Sequence, residues 1–99
     1  MASTVDYDKY LKDWLKDPEN AAAFLNSVIG DENHEFFLLA LRNVAKAWGS
    51  ISLLADLSNT NRVTLYKALS KRGNPDFKKV SELLDNMGLR LTVEPVATP

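Results

Sequence analysis

The stretch that decides the fold runs from Ser52 to Gly73 and reads SLLADLSNTNRVTLYKALSKRG. Its apolar spacing predicts two short helices joined by a tight turn. Ala55 is small enough for a second helix to approach closely. Asn59 lies in the turn, where Asn tolerates a left-handed backbone better than most residues. This layout is typical of a helix-turn-helix that reads DNA.

The second helix of this pair is predicted to begin at Arg62, with Asn61 as its N-cap and with Leu65 and Leu69 facing inward. Arginine can bind guanine through two parallel hydrogen bonds, and a helix N-terminus favours phosphate. The residues predicted to contact DNA are Ser50, Ser52, Thr60, Asn61, Arg62, Val63, Thr64, Tyr66, Lys67, Lys71 and Arg72. Helical bundles that bind no DNA have the same geometry, so that alternative stays open.

Charge is unevenly distributed along the chain, although the net charge is only −1. Residues 1–35 carry eight acids and three lysines, a net charge of −5. Residues 62–79 carry six basic residues and one acid, a net charge of +5. A local basic patch attracts phosphates even when the total charge is near zero. The pattern favours DNA binding by the second helix, although solvated helix faces produce similar patterns.

The composition is that of a globular protein with one modest core. The chain has 99 residues, of which 45% are hydrophobic. No apolar run approaches the length of a transmembrane helix, and the start MASTVDYDKY lacks the features of a secretory signal. The chain has no cysteine, which excludes disulfides and thiolate chemistry and agrees with a cytoplasmic location. We expect a single domain over residues 1–99.

The N-terminal part is predicted to form three helices. The first covers about residues 6–16 and places one apolar stripe inward, formed by Tyr7, Tyr10, Leu11, Trp14 and Leu15. The second is capped by Asp17 and ends near Ile29, which faces inward. The third is capped by Asp31 and ends at Trp48. Ser50 is then expected to cap the first helix of the central pair, with Leu57 packed inward.

The C-terminal part is predicted to form a sixth helix and a short strand. The helix follows the turn residues 73–75, contains Phe77 on its inner side and ends at Gly88. Residues 89–94 alternate between apolar and polar side chains, which is a strand pattern. A lone strand needs a partner, so a homodimer ribbon through Leu89, Leu91 and Val93 is predicted. Addition to the sheet of another protein and an extended tail packed on the core are the alternatives.

Little in the sequence indicates chemistry beyond binding. His34 with Asp31 or Glu35 allows a metal site, but one His without Cys is a poor ligand supply for zinc. An exposed His in the first turn of a helix is the simpler interpretation. No serine lies in a nucleophile-elbow context, and no glycine-rich loop is present. The aromatic residues are expected to pack in the core rather than stack on bases, except for Tyr66. We expect no enzyme, no cofactor and no metal.

Residues 40–91, ALRNVAKAWGSISLLADLSNTNRVTLYKALSKRGNPDFKKVSELLDNMGLRL, resemble the Xre/Cro-like helix-turn-helix domain. The strings LYKALS at 65–70 and GNP at 73–75 are similar to the addiction-module antidote group, which is related to HigA-type antitoxins. The resemblance covers about residues 7–94. The usual glycine of the turn is Asn59 here, a residue that is compatible with the same backbone.

The residue patterns and the resemblance together predict an all-α, lambda repressor-like bundle of five to six helices, with N-terminal helices at 6–29, a helix-turn-helix core at 36–88 and a C-terminal strand at 89–94. It implies a type II antitoxin that neutralises a RelE/ParE-like toxin, binds its operator as a homodimer and represses its operon in the cytoplasm, at the nucleoid. Toxin contact is expected on the folded body, with the acidic first 35 residues as a candidate. A protein-interaction module or an orphan transcriptional regulator without a toxin is the alternative.

Overall fold

In a computed structural model, residues 4–97 of the chain fold into α-helices and irregular connections. The helices are α1 (Thr4–Leu15), α2 (Pro18–Ile29), α3 (His34–Trp48), α4 (Ile51–Leu57), α5 (Arg62–Ala68) and α6 (Phe77–Asn86). Helices α1, α2 and α3 pack on one another, and α4 packs on α3, α5 and α6. The predicted all-α class and the order of the helices are confirmed. Residues 1–3 and 98–99, at the ends of the predicted domain, lie outside the described residues.

The core lies where these helices meet and consists mainly of leucine. The largest fully buried side chains are Leu41, Val44, Ile51, Leu54, Ser58, Leu65, Leu69 and Leu83. Burying one such leucine contributes about 1.5–3 kcal/mol to folding. Ala55, the small residue predicted on α4, is buried, with 1% of its surface exposed. Leu65 and Leu69 face the core as predicted, which fixes the side of α5 that is left to solvent.

The helix caps predicted from the sequence are confirmed, except for the cap of α3. Asp17 caps α2 by accepting the N–H of Glu19 at 2.9 Å, as predicted. The prediction that Asp31 caps α3 is wrong, because Asn33 occupies that position and accepts the N–H of Glu35 at 3.0 Å. The Asp31 carboxylate instead accepts the N–H of Asn33 at 2.8 Å. Asp31 thus stabilises the turn that precedes the cap.

The C-terminal segment is not a strand within residues 89–97, so that prediction is wrong. After α6 the chain reverses at Gly88, whose φ is 78°, and the N–H of Leu89 donates to Leu84 O at 2.8 Å. Leu89 and Leu91 are half-buried against the core, whereas Val93 is 98% exposed. The alternating pattern therefore reflects an extended tail that lies with one side on the core. The dimer contact predicted for these three residues stays a prediction.

The apolar stripe of α1 is largely exposed, contrary to prediction. Tyr7 is 60% exposed, Tyr10 68% and Trp14 37%, whereas Leu15 is buried and Leu11 half-buried. Helix α1 packs only on α2 and α3, so it lies at the edge of the bundle. Only the leucine side of the stripe is therefore covered.

Three further residues that were predicted to face inward are exposed as well. The exposed fraction is 46% for Ile29, 54% for Leu57 and 75% for Phe77. Ile29 and Leu57 are the last residues of α2 and α4, and Phe77 is the first residue of α6. Helix ends extend past the neighbouring helices, so the apolar residues there have less to pack against.

Candidate nucleic-acid interface

Helices α4 and α5 are joined by a turn, residues 58–61, that fixes their relative orientation. The N–H of Thr60 donates to Ala55 O at 2.9 Å, and the N–H of Asn59 donates to Asp56 O at 3.2 Å. These two bonds form a Schellman motif, which requires a left-handed residue just after the helix. Asn59 has a φ of 50°, which confirms the backbone predicted for it.

Two side chains of α6 hold this turn in place. Lys79 Nζ donates to Thr60 Oγ1 at 2.7 Å, and Asn86 Nδ2 donates to Ser58 Oγ at 2.9 Å. Thr60 Oγ1 in turn donates to Ser58 O at 3.1 Å, and Ser58 is 2% exposed. The Thr60 hydroxyl, a predicted DNA contact, is therefore engaged within the fold. Lys79, although part of the basic segment, stabilises the turn.

Arg42 of α3 holds the opposite end of α5. Its Nε and Nη2 donate to Leu69 O at 3.1 and 2.8 Å, and Leu69 is the C-cap residue of α5. A cation at a helix C-terminus is favoured by the helix dipole, and a charged donor strengthens the hydrogen bonds. Arg42 was not among the predicted site residues, because its partner lies 27 positions away in the chain and leaves no local signal.

Gly73 allows the chain to turn back onto the end of α5. A Cβ atom at Gly73 would overlap the carbonyl oxygen of Ala68. The N–H of Gly73 donates to Ser70 O at 2.8 Å. The glycine of the GNP string is thus needed for close backbone packing, and it follows directly on the exposed residues Lys71 and Arg72.

The outer face of α5 carries most of the predicted DNA contacts. Tyr66 is 44% exposed and Val63 56% exposed, whereas Leu65 is fully buried. The other exposed side chains of this surface are Asn61, Arg62, Thr64, Lys67, Lys71 and Arg72. Within residues 4–97, none of its four cations takes part in an ion pair. The surface therefore offers unneutralised positive charge beside an exposed tyrosine.

Residues flanking α5 serve first as helix caps. Asn61 Oδ1 accepts the N–H groups of Val63 and Thr64, at 2.7 and 3.4 Å. Ser50 Oγ accepts the N–H of Leu53 at 3.0 Å and caps α4, as predicted. Ser50 is exposed, so its O–H stays available to donate to a phosphate, whereas Ser52 is half-buried.

Other kinds of site find little support in the described part of the chain. His34 is the first residue of α3 and is exposed, in agreement with the interpretation of an exposed His in the first turn of a helix. Among residues 4–97 no group of three or more His, Cys, Asp or Glu side chains is placed to hold a metal ion. No helix in the same range is long and apolar enough to cross a membrane.

Comparisons with known proteins place the chain in a family. A family model described as "Probable addiction module antidote protein" matches residues 4–95. A relative from Haemophilus influenzae, described as "Uncharacterized protein", is 33% identical over 89 residues, which cover 90% of this chain and 89% of the relative. No solved structure gives a significant match. Since the family model spans all six helices, the chain belongs to the addiction module antidote family.

Proposed function

We propose that this chain is the antidote of a type II toxin–antitoxin module and that it binds its own operator through α4 and α5. In this proposal α4, its turn and α5 form an Xre/Cro-type helix-turn-helix, and α5 enters the major groove. The observation that supports it best is the polarity of α5. Leu65 and Leu69 are buried, while Arg62, Tyr66 and Lys67 are exposed.

The charge distribution supports the same orientation on DNA. The net charge is +5 over residues 62–79 and −5 over residues 1–35. Such a dipolar molecule is steered so that its basic side meets the phosphates first. Neutralised phosphates release counterions, so affinity falls steeply with salt, by a log–log slope of about −0.9 for each phosphate contact.

The side chains divide into base-reading and backbone-binding groups. Arg62 is at the N-terminal end of α5, the end that contacts base edges, and it reads guanine O6 and N7. Lys67, Lys71 and Arg72 bind phosphates, and the Tyr66 hydroxyl donates to a phosphate or a base edge. Two copies of the chain place two α5 helices in successive major grooves, about 34 Å apart. Binding represses the operon, and the protein works at the nucleoid in the cytoplasm.

Membership of an antidote family implies a toxin partner in general. We propose that the partner is a RelE/ParE-like toxin and that the chain neutralises it by direct binding. Binding alone accounts for both activities, so the proposal assigns no catalytic residue to this chain.

Titration of a labelled duplex from the region upstream of the operon tests the DNA-binding part. Arg62→Ala should weaken binding to the cognate duplex by about 5- to 150-fold and relax preference at one base position. Lys67→Ala should weaken binding to all sequences and reduce the salt slope by about 1. Lys46→Ala removes an exposed lysine from α3 and is the matched control, which should bind as the wild type does. Arg62→Ala and Lys67→Ala variants that also bind like the wild type would contradict the proposal.

The alternative is a protein-interaction module or an orphan regulator without a toxin. The exposed apolar residues Phe36 and Leu39 on α3, at 49% and 53%, agree with a protein partner. A protein-interaction module predicts no salt-dependent affinity for duplex DNA, so the same titration distinguishes it from the proposed function. An orphan regulator would bind the duplex but no toxin.

A further inference from the structure

A groove lies between α3 and the segment that follows α5. Its α3 wall carries Phe36 and Leu39, which are three positions apart and share one face of the helix. Their exposed fractions are 49% and 53%. The opposite wall carries Leu69 and Lys71. The groove thus contains an exposed apolar strip, and contiguous apolar surface of this kind indicates contact with another molecule.

Arg42 joins the two walls and fixes the shape of the groove. It extends from α3, and its Nε and Nη2 donate to Leu69 O at 3.1 and 2.8 Å. Leu69 is the C-cap residue of α5, so the groove borders the last turn of that helix. A surface that is already ordered loses little freedom on binding, and more of its contact energy then appears as affinity.

The groove carries opposite charges on its two walls. Glu35 of α3 is the last acid of residues 17–35, which contain five acidic residues and no Lys or Arg. Lys71, on the other wall, belongs to the basic segment 62–79. Among residues 4–97, neither the Glu35 carboxylate nor Lys71 Nζ has an ion-pair or hydrogen-bond partner. Both charges are therefore available to a molecule that occupies the groove.

A second copy of this chain meets both charges with the opposite sign. In a dimer with its two-fold axis along the groove, the α3 wall of each copy faces the α5 wall of the other. Glu35 of each copy then lies opposite Lys71 of its partner, and the apolar strips meet between these two pairs. A partner that is basic throughout would meet a like charge at Lys71, and one that is acidic throughout would meet it at Glu35.

We propose that this groove is the surface through which two copies of the chain form a symmetric dimer. The inference rests on the proposed function, which needs two copies on one operator, and it adds the surface that joins them. The axis passes next to the C-terminal ends of both α5 helices. Lys71 has three N–H donors, so it can bind the partner's Glu35 and a phosphate at once. Dimerisation thereby orders a residue of the proposed DNA surface.

Charge exchange across the groove tests the proposal, with light scattering of the full chain over a range of concentrations. Glu35→Lys places two lysines opposite each other at both pairs, and Lys71→Glu places two acids there. Each variant alone should raise the dimer dissociation constant by about 10-fold or more, because like charges face each other across the interface. An equimolar mixture of the two variants should dimerise as the wild type does, since every mixed pair joins a lysine to an acid. A mixture that does not recover would overturn the proposal.

Leu39→Glu tests the apolar strip, and Leu57→Glu is its matched control. The two leucines are 53% and 54% exposed, on α3 and on α4, so neither change should unfold the chain. Leu39→Glu should give a monomer, whereas Leu57→Glu should remain a dimer. Circular dichroism reports whether both variants are folded. A folded Leu39→Glu variant that dimerises like the wild type would contradict the proposal.

Two outcomes separate this inference from the proposed function. A wild type that stays monomeric while it binds the operator overturns the inference and leaves operator binding in place. A wild-type dimer that Leu39→Glu separates, but that has no salt-dependent affinity for duplex DNA, overturns operator binding and leaves the dimer surface in place.

Two further outcomes assign the surface differently. Loss of the dimer in Val93→Asp, but not in Leu39→Glu, would assign dimerisation to the C-terminal tail, where Val93 is 98% exposed. Loss of binding to the purified product of the adjacent reading frame, in a Leu39→Glu variant that stays dimeric, would assign the groove to the toxin. Either assignment overturns the inference.

Discussion

Arg42 and Leu69 connect α3 to the end of α5, although they lie 27 positions apart in the chain. Both Nε and Nη2 of the guanidinium donate to the Leu69 carbonyl oxygen, at 3.1 and 2.8 Å. Lys79 and Asn86 hold the turn that precedes the other end of α5. The helix proposed to read DNA is thus held at both ends by side chains of other helices.

Arg42→Ala should lower the free energy of unfolding by about 1.5–3 kcal/mol, because two charge-assisted hydrogen bonds to a helix-end carbonyl are lost. We expect preference for the cognate operator over a scrambled duplex to fall, while the salt slope stays unchanged because Arg42 contacts no phosphate. Arg42→Lys retains the charge and one donor and should recover part of both losses. Urea denaturation and duplex titration measure the two effects. A salt slope reduced by about 1 in Arg42→Ala would show instead that Arg42 binds DNA directly.

Gly73→Ala should be strongly destabilising, by about 2 kcal/mol or more, because the added methyl would overlap the Ala68 carbonyl and push the turn away from α5. Gly30→Ala is the matched control. No atom lies within 4 Å of a Cβ at Gly30, and its φ is −92°, so the change should be neutral or slightly stabilising. Thermal unfolding of the two variants provides the test. Equal melting temperatures would contradict the close approach at Gly73.

Variants of the adjacent residues Lys78 and Lys79 distinguish the loss of a positive charge from the loss of a hydrogen bond that stabilises the fold. Lys79→Ala should lower the unfolding free energy by about 1 kcal/mol, because the bond from Nζ to Thr60 Oγ1 is lost. Lys78 is exposed and is the matched control, since its removal changes the charge equally and should leave stability within about 0.5 kcal/mol. Chemical denaturation distinguishes the two. The same unfolding midpoint for both variants would mean that the Lys79 bond does not stabilise the turn.

Features that depend on residues within one helical turn were predictable from the sequence. The left-handed backbone of Asn59 and the caps at Ser50 and Asn61 follow from side-chain chemistry close by in the chain. The burial of Leu65 and Leu69 follows from helical spacing. These features define the polarity of α5, and with it most of the candidate DNA surface.

Features that depend on how helices are placed were not predictable. The exposure of Tyr7 and Tyr10 is set by how little of α1 its two neighbours cover, which periodicity does not reveal. The role of Arg42 depends on a carbonyl far away in the chain. The alternation over residues 89–94 arises equally for a strand and for a tail lying on a core, so the pattern alone could not choose between them.

The packing order of the helices has a consequence for folding kinetics. Helices α1 to α3 pack on one another, and α4 packs on the preceding helix and on the two that follow, so most partners are close in sequence. Helical domains of this kind fold in roughly microseconds to milliseconds. Synthesis at about 5–20 residues per second takes several seconds for a chain of this size. Translation, rather than folding, then sets how soon a newly made antidote can act.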